Sequence, residues 1–242
     1  MNVKIEIGEN YNFELHEALL VYRASQNNSA FIMRHPVGRS SGSGAPTLGT
    51  GEPLTWDFVR ELVRNLGGNT APEVLPPCVI ARTESMIAWW TPPQRRQMFY
   101  SNHNGDLADL NGKVFPQPAL VFIAGRSGLW VRALRHNRRP EAGTRLLVAP
   151  FWNTAANGLV CSGSMRQPDG MGVGAMPVWE KAFYESAFTH AGAGVRLTSH
   201  PGGFGALWRG IAGTRGPFPV RHLVEAKQTL SGFLNEGRLH AD

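Results

Sequence analysis

Two residues of this chain are of types that acyl transfer uses: Cys161, and Asn153 eight positions before it. They bound the run Asn153-Thr154-Ala155-Ala156-Asn157-Gly158-Leu159-Val160-Cys161. A cysteine thiolate attacks acyl carbon and holds the acyl group as a labile thioester. A preorganised amide donor stabilises the negative oxygen of the tetrahedral intermediate, and losing one such donor costs about 10²–10³ in rate. Cys161 is therefore the candidate nucleophile and Asn153 the candidate oxyanion donor. Ser162, Gly163 and Ser164 leave room around the thiol. Asn157-Gly158 is a turn signal with a structural role. The plainer reading of Cys161 is a small buried hydrophobe at a strand end.

An apolar strand, Arg145-Leu146-Leu147-Val148-Ala149, delivers the chain into this run. Before it, Ala119 to Ala124 reads as a buried strand, Gly125-Arg126-Ser127-Gly128 as a tight turn, and Leu129 to Leu134 as the return. Val79 to Thr83, Met86 to Thr91 and Arg96 to Tyr100 read as shorter strands, with Pro92-Pro93 turning the chain between the last two. Further upstream, Thr55 caps a helix from Trp56 to about Leu66, stopped by Gly67-Gly68. Alternation predicts N-terminal strands at Asn2 to Ile7, Glu14 to Arg23 and Ala30 to Arg34. A loop rich in Gly and Ser, Gly38 to Pro46, follows them.

Downstream of Cys161, Pro177 opens a helix of about three turns reaching Phe188. Phe204 to Trp208 suits a turn of helix. Pro219 opens a last helix with Val220, Leu223, Val224, Lys227, Leu230 and Leu234 on one face. Strands and helices are segregated rather than alternating, so the fold class is α+β. The expected organisation is an N-terminal β-strand extension over 1–50 and a main domain over 51–242, with one continuous domain as the variant.

Composition narrows the function. The 242 residues are 42% apolar, enough for a sizeable core. No apolar run reaches about 18 residues, which excludes a membrane-spanning helix. The N-terminus alternates like a strand and does not read as an export signal. With two cysteines, the expected compartment is reducing cytoplasm. The histidines show no metal-ligand spacing; His190 and His200 flank a loop without a cysteine partner. Cys78 reads as core, and His136 as a solvated turn residue. Trp89, Trp90, Trp130 and Trp152 read as core or its rim, or as a partner surface. No phosphate loop follows a strand, so no nucleotide and no other cofactor is expected. The net charge is +6, and of 24 basic residues only four are lysines. Arginine groups such as Arg132, Arg135, Arg138 and Arg139 suit a phosphate-contacting surface, a solvated face or an acidic partner.

The element order together with the cysteine run resembles ubiquitin-conjugating (UBC-like) enzymes. In that family a β-meander ends in His-Pro-Asn, an Asn-Gly turn follows, and the catalytic cysteine lies eight residues after the first Asn. Here Phe151-Trp152-Asn153 stands in place of the tripeptide, Asn157-Gly158 supplies the turn, and Cys161 takes the place of the nucleophile. Phe151 and Trp152 depart from the pattern, which implies different local packing. Ser162-Gly163-Ser164 also differ from the usual residues after the cysteine. Within the superfamily the chain is similar to the prokaryotic UBC-like proteins called PRTRC system protein B, from plasmid-borne or mobile cassettes.

The resemblance implies a β-meander flanked by helices, with extra N-terminal strands. It implies an acyl carrier forming a thioester between Cys161 and the C-terminus of a small ubiquitin-like protein. The implied partners are that protein, a ThiF-type activating enzyme and, in the same pathway, a JAB-type peptidase. In related enzymes the residue matching Asn153 also holds the active loop. Two other functions stay open: a non-catalytic scaffold of the same fold, and a basic plasmid-maintenance protein contacting DNA.

Overall fold

In a computed structural model, residues 15–24, 29–40, 42, 44–65, 74–101 and 107–239 are described. The expected strand Asn2 to Ile7 lies outside them. The chain forms two compact units, Met1–Glu73 and Val74–Asp242.

In the first unit, β1 (Glu17–Arg23) pairs antiparallel with β2 (Ala30–Arg39), with Leu20 opposite Met33. The short strands β3 (Pro46–Leu48) and β4 (Glu52–Pro53) both pair with β2. Helix α1 (Trp56–Asn65) begins where Thr55 Oγ1 accepts the amide of Phe58 at 3.3 Å, the expected N-cap. Arg34 pairs with Glu52 at 2.9 Å and lies over the Phe58 ring.

The second unit is built on one sheet. Its strands in chain order are β5 (Val79–Arg82), β6 (Met86–Thr91), β7 (Gln94–Gln97), β8 (Phe99–Tyr100), β9 (Val114–Gln117), β10 (Leu120–Gly125), β11 (Gly128–Ala133) and β12 (Arg145–Val148). After β12 come α2 (Met176–Glu185), β13 (Ala187–Phe188), α3 (Gly203–Ile211), β14 (Glu225–Thr229) and α4 (Leu230–Leu239). The main sheet has the order β14-β12-β11-β10-β6-β5, all antiparallel. A separate ribbon pairs β7 with β9.

Strands β10 and β11 are buried along their whole length. Alternate side chains feed two cores, as the period of two requires. Phe122 and Val131 join Trp89, Phe183 and Trp208 on one side, where α2 and α3 contribute. Ile123 and Trp130 join Leu230 and Phe233 of α4 on the other. Helix α4 docks closely: a Cβ at Gly237 would lie 3.0 Å from Ile123 Cγ2. The expected α+β class is thus present as a meander covered by helices.

Three expected elements differ. The helix opened by Pro177 ends at Glu185, not Phe188. Ser186 is extended, and its hydroxyl donates to Phe183 O at 2.8 Å. Ala187 and Phe188 then pair in parallel with Phe99 and Tyr100, which places Phe188 in the core. The last helix starts at Leu230, not Pro219. The segment Glu225–Thr229 instead covers the open edge of β12, where unpaired amides and carbonyls demand partners. Finally, the strand expected at Arg96 to Tyr100 is split, because β7 pairs with β9 while β8 pairs with β13.

Candidate active site

The stretch from β12 to Cys161 starts with two anchors. Phe151 is fully buried, its ring centroid 5.1 Å from Phe183, 6.0 Å from Phe188 and 5.9 Å from Trp208. Trp152 stacks on Phe204 at 5.5 Å and meets Tyr100 edge-on at 5.9 Å. The Phe-Trp pair therefore ties the start of the loop into α2, β13 and α3 by packing. These contacts are the altered local packing that the two departures imply.

The loop then turns back on itself. Ala155 donates to Leu159 O at 2.8 Å and Gly158 to Ala155 O at 2.9 Å. Asn157 Oδ1 accepts the amide of Leu159 at 3.1 Å, a local turn bond. Gly158 has φ of 90°, and a Cβ there would lie 2.9 Å from Val131 O. The return limb lies against β11: Val131 donates to Gly158 O at 2.9 Å, and Val160 donates to Leu129 O at 2.8 Å.

Arg132 braces the turn from below. It is 2% exposed, and its Nη2 donates to Ala156 O at 2.7 Å. Its Nε donates to Gln228 Oε1 of β14 at 3.2 Å, and its guanidinium lies over the Phe233 ring of α4. Burial pushes its pKa below the ordinary arginine value, opposed by the charge of Glu236. The arginine group noted in the sequence thus divides. Arg132 is internal, Arg139 donates to Val79 O at 2.7 Å, and Arg135 pairs with Glu225.

Asn153 holds the ends together. Its φ is 59°, uncommon for a residue other than glycine but tolerated best by Asn and Asp. Its side chain is buried. Nδ2 donates to Ala187 O at 2.8 Å, and Oδ1 accepts the amides of Thr189 at 3.0 Å and His190 at 3.3 Å. Its main chain donates to His190 O at 2.8 Å and accepts the amide of Cys161 at 2.7 Å. Asn153 therefore joins the segment after α2 to the cysteine.

Cys161 itself is exposed, so the buried-hydrophobe reading does not describe it. Ser164 Oγ accepts the amide of Ala187 at 2.8 Å, which closes the loop on its far side. Cys78 is partly buried against the core. Trp89 and Trp130 are core residues, and Trp90 and Trp152 are partly buried at its rim. His136 is exposed. A concavity of about 620 Å³ lies against α2 near Arg96, Phe99, Glu180 and Tyr184, and includes neither Cys161 nor Asn153. Cys161 is thus presented on the surface, outside that concavity.

Sequence reasoning missed Arg132, Thr189 and His190. An arginine inside the otherwise apolar run Leu129 to Leu134 was a usable signal, since such a residue is rarely buried without a partner. Nothing local marks Thr189 or His190; their place depends on where α2 stops. Among the described residues, no group of His, Cys, Asp or Glu could hold a metal ion, and no helix is long and apolar enough to cross a membrane.

No curated protein and no solved structure matches the chain. A family model described as prokaryotic E2 family D matches residues 58–226, from α1 into β14, and includes the whole cysteine loop. A match over so much of the chain, with an exposed cysteine at the exit of a meander, places this protein in prokaryotic E2 family D.

Proposed function

We propose that the protein is a conjugating-type acyl carrier with Cys161 as its nucleophile. The observation that supports this most is the exposure of Cys161 at the end of a loop braced at every turn. In the charging step Cys161 Sγ bonds to the acyl carbon of a donor thioester, the donor's C–S bond breaks, and the donor thiol leaves with the proton. In the discharging step an acceptor amine displaces Cys161 Sγ. The acyl donor is the C-terminus of a small ubiquitin-like protein, delivered by a ThiF-type activating enzyme. A JAB-type peptidase belongs to the same pathway, in a cytoplasmic PRTRC-type cassette. Asn153 positions the loop, and its remaining amide hydrogen is the oxyanion donor of this reading.

The test is a thiol-sensitive adduct. The wild-type protein, offered a glycine-ended peptide as its 2-mercaptoethanesulfonate thioester, gains one acyl group that dithiothreitol removes. Cys161→Ser carries instead an ester that survives thiol and is cleaved by hydroxide. An unmodified wild-type protein refutes the carrier reading.

A second reading has its own support. The amide of Asn153 is already engaged with Ala187, Thr189 and His190, as a purely structural residue would be. The protein would then be a scaffold that binds the ubiquitin-like protein or the activating enzyme without transfer. Binding to either that is unchanged in Cys161→Ala, with no loss of pathway output, supports the scaffold.

A further inference from the structure

The hydrogen bonds around Asn153 fix more than a loop. Backbone amides can only donate, and those of Thr189 and His190 meet Asn153 at 3.0 and 3.3 Å. The atom they meet is therefore the amide oxygen, and the orientation of the side chain follows. The Thr189 hydroxyl lies 2.9 Å from the same oxygen. That oxygen can only accept, so the hydroxyl gives it its single proton. Thr189 Oγ1 also lies 2.7 Å from His190 Nδ1. With its proton committed, Oγ1 accepts here, and Nδ1 carries the hydrogen. That tautomer makes Nε2 the basic nitrogen of the ring, on a residue that is exposed.

The same backbone ties His190 and the candidate nucleophile to one residue. Asn153 donates to His190 O at 2.8 Å and accepts from Cys161 N at 2.7 Å, so two hydrogen-bonded steps separate the outer backbones. Each step spans about 5 Å between backbones, so the outer pair lie no more than about 10 Å apart. That is the width that a side-chain thioester, an attacking amine and a side-chain base occupy together.

We propose that His190 is the base that takes the proton of the nucleophile attacking the acyl group on Cys161, with Thr189 and Asn153 as its positioning residues. The proposal rests on reading Cys161 as an acyl carrier. In the step, the amine nitrogen bonds to the thioester carbon and its proton passes to His190 Nε2. The C–S bond breaks with its electron pair on Cys161 Sγ. The imidazolium then returns the proton to sulfur. The products are an amide and a free thiol, and His190 is again neutral.

The experiment compares single-turnover discharge of preloaded protein to free L-lysine, loading from the glycine-ended peptide thioester. On protein already loaded, His190→Ala discharges about 10²-fold more slowly than wild type, the usual contribution of a general base. Imidazole added to the buffer restores a substantial part of that rate. Thr189→Val is slowed, while Thr189→Ser, which keeps the hydroxyl, discharges like wild type. Wild-type rates in His190→Ala overturn the proposal. So does a slowed His190→Ala that imidazole leaves unchanged, since a merely structural histidine gives that result. A wild-type protein that never loads removes the carrier reading, and the base with it; loading with an unaffected His190→Ala removes the base alone.

Discussion

The carbonyl of Asn153 accepts the amide of Cys161 at 2.7 Å, while Asn153 itself stands at φ of 59°. One residue thus supplies both the bend that starts the loop and the bond that ends it. Replacing it separates the two roles. Asn153→Ala loses the side-chain bonds and must also hold an unfavourable φ, whereas Asn153→Gly loses only the bonds. Urea denaturation should show Asn153→Gly less stable than wild type by about 1–3 kcal/mol, the cost of leaving buried partners unmade. Asn153→Ala should fall a further ~1 kcal/mol below that. Equal stabilities of the two variants would mean that the bend carries no strain.

The turn at Gly158 admits no side chain. Gly158→Ala places a Cβ 2.9 Å from Val131 O at a φ of 90°. The expected loss is about 1–3 kcal/mol in stability. Amide hydrogen exchange should quicken at Val131 and Val160, whose amides bond across this turn and strand. Unchanged protection at both would refute the strain argument.

Arg132 is expected to act on the loop through Ala156 O and on the sheet edge through Gln228. Arg132→Met keeps most of the packing over Phe233 and removes both donations. Stability should fall by about 1–3 kcal/mol, because Ala156 O and Gln228 are left without their partner. Arg132→Lys should not rescue it, since one ammonium cannot reproduce the fork that reaches both. Full rescue by lysine, measured by the same denaturation, would show that charge alone suffices.

Placing at Phe151 the histidine of the ubiquitin-conjugating tripeptide should harm this protein. The ring is fully buried among Phe183, Tyr184, Phe188 and Trp208. Phe151→His puts a polar imidazole into that cluster, at an expected cost of about 2–4 kcal/mol. A thermal melt at or above that of wild type would contradict the anchoring role.

His222 predicts how stability follows pH. Desolvation, then Arg221 and His200, hold its pKa below the ordinary histidine value; the His200 ring lies 4.8 Å away. In the unfolded chain the imidazole takes up a proton at a higher pH than in the folded one. Between the two values the unfolded state binds more protons, so stability falls as pH drops through that window. Its full contribution is present above the ordinary histidine value. In His222→Gln the loss of stability between neutral and mildly acid pH should be smaller than in wild type. An identical pH dependence would show that His222 is not responsible.

The sequence by itself determined the local elements and the candidate nucleophile. Apolar runs bounded by turn residues marked β6, β10 and β11, because such patterns are short-range. Thr55 marked the start of α1 through a bond made within its own first turn. The Asn-Gly pair marked the turn before Cys161, since that bond is also local. What the sequence missed depends on partners far along the chain. The run after Pro219 has helical spacing, yet the open edge of β12 draws Glu225–Thr229 into a strand. The helix before His190 has apolar residues enough to continue, yet pairing with β8 ends it at Glu185. That early stop is what carries Thr189 and His190 to Asn153, across 36 and 37 positions. Sequence spacing could place Cys161 and Asn153 in one loop. Only the tertiary structure could assign the amide of Asn153 to its partners and tie His190 and Cys161 to that one residue, because buried polar groups choose partners by position in space.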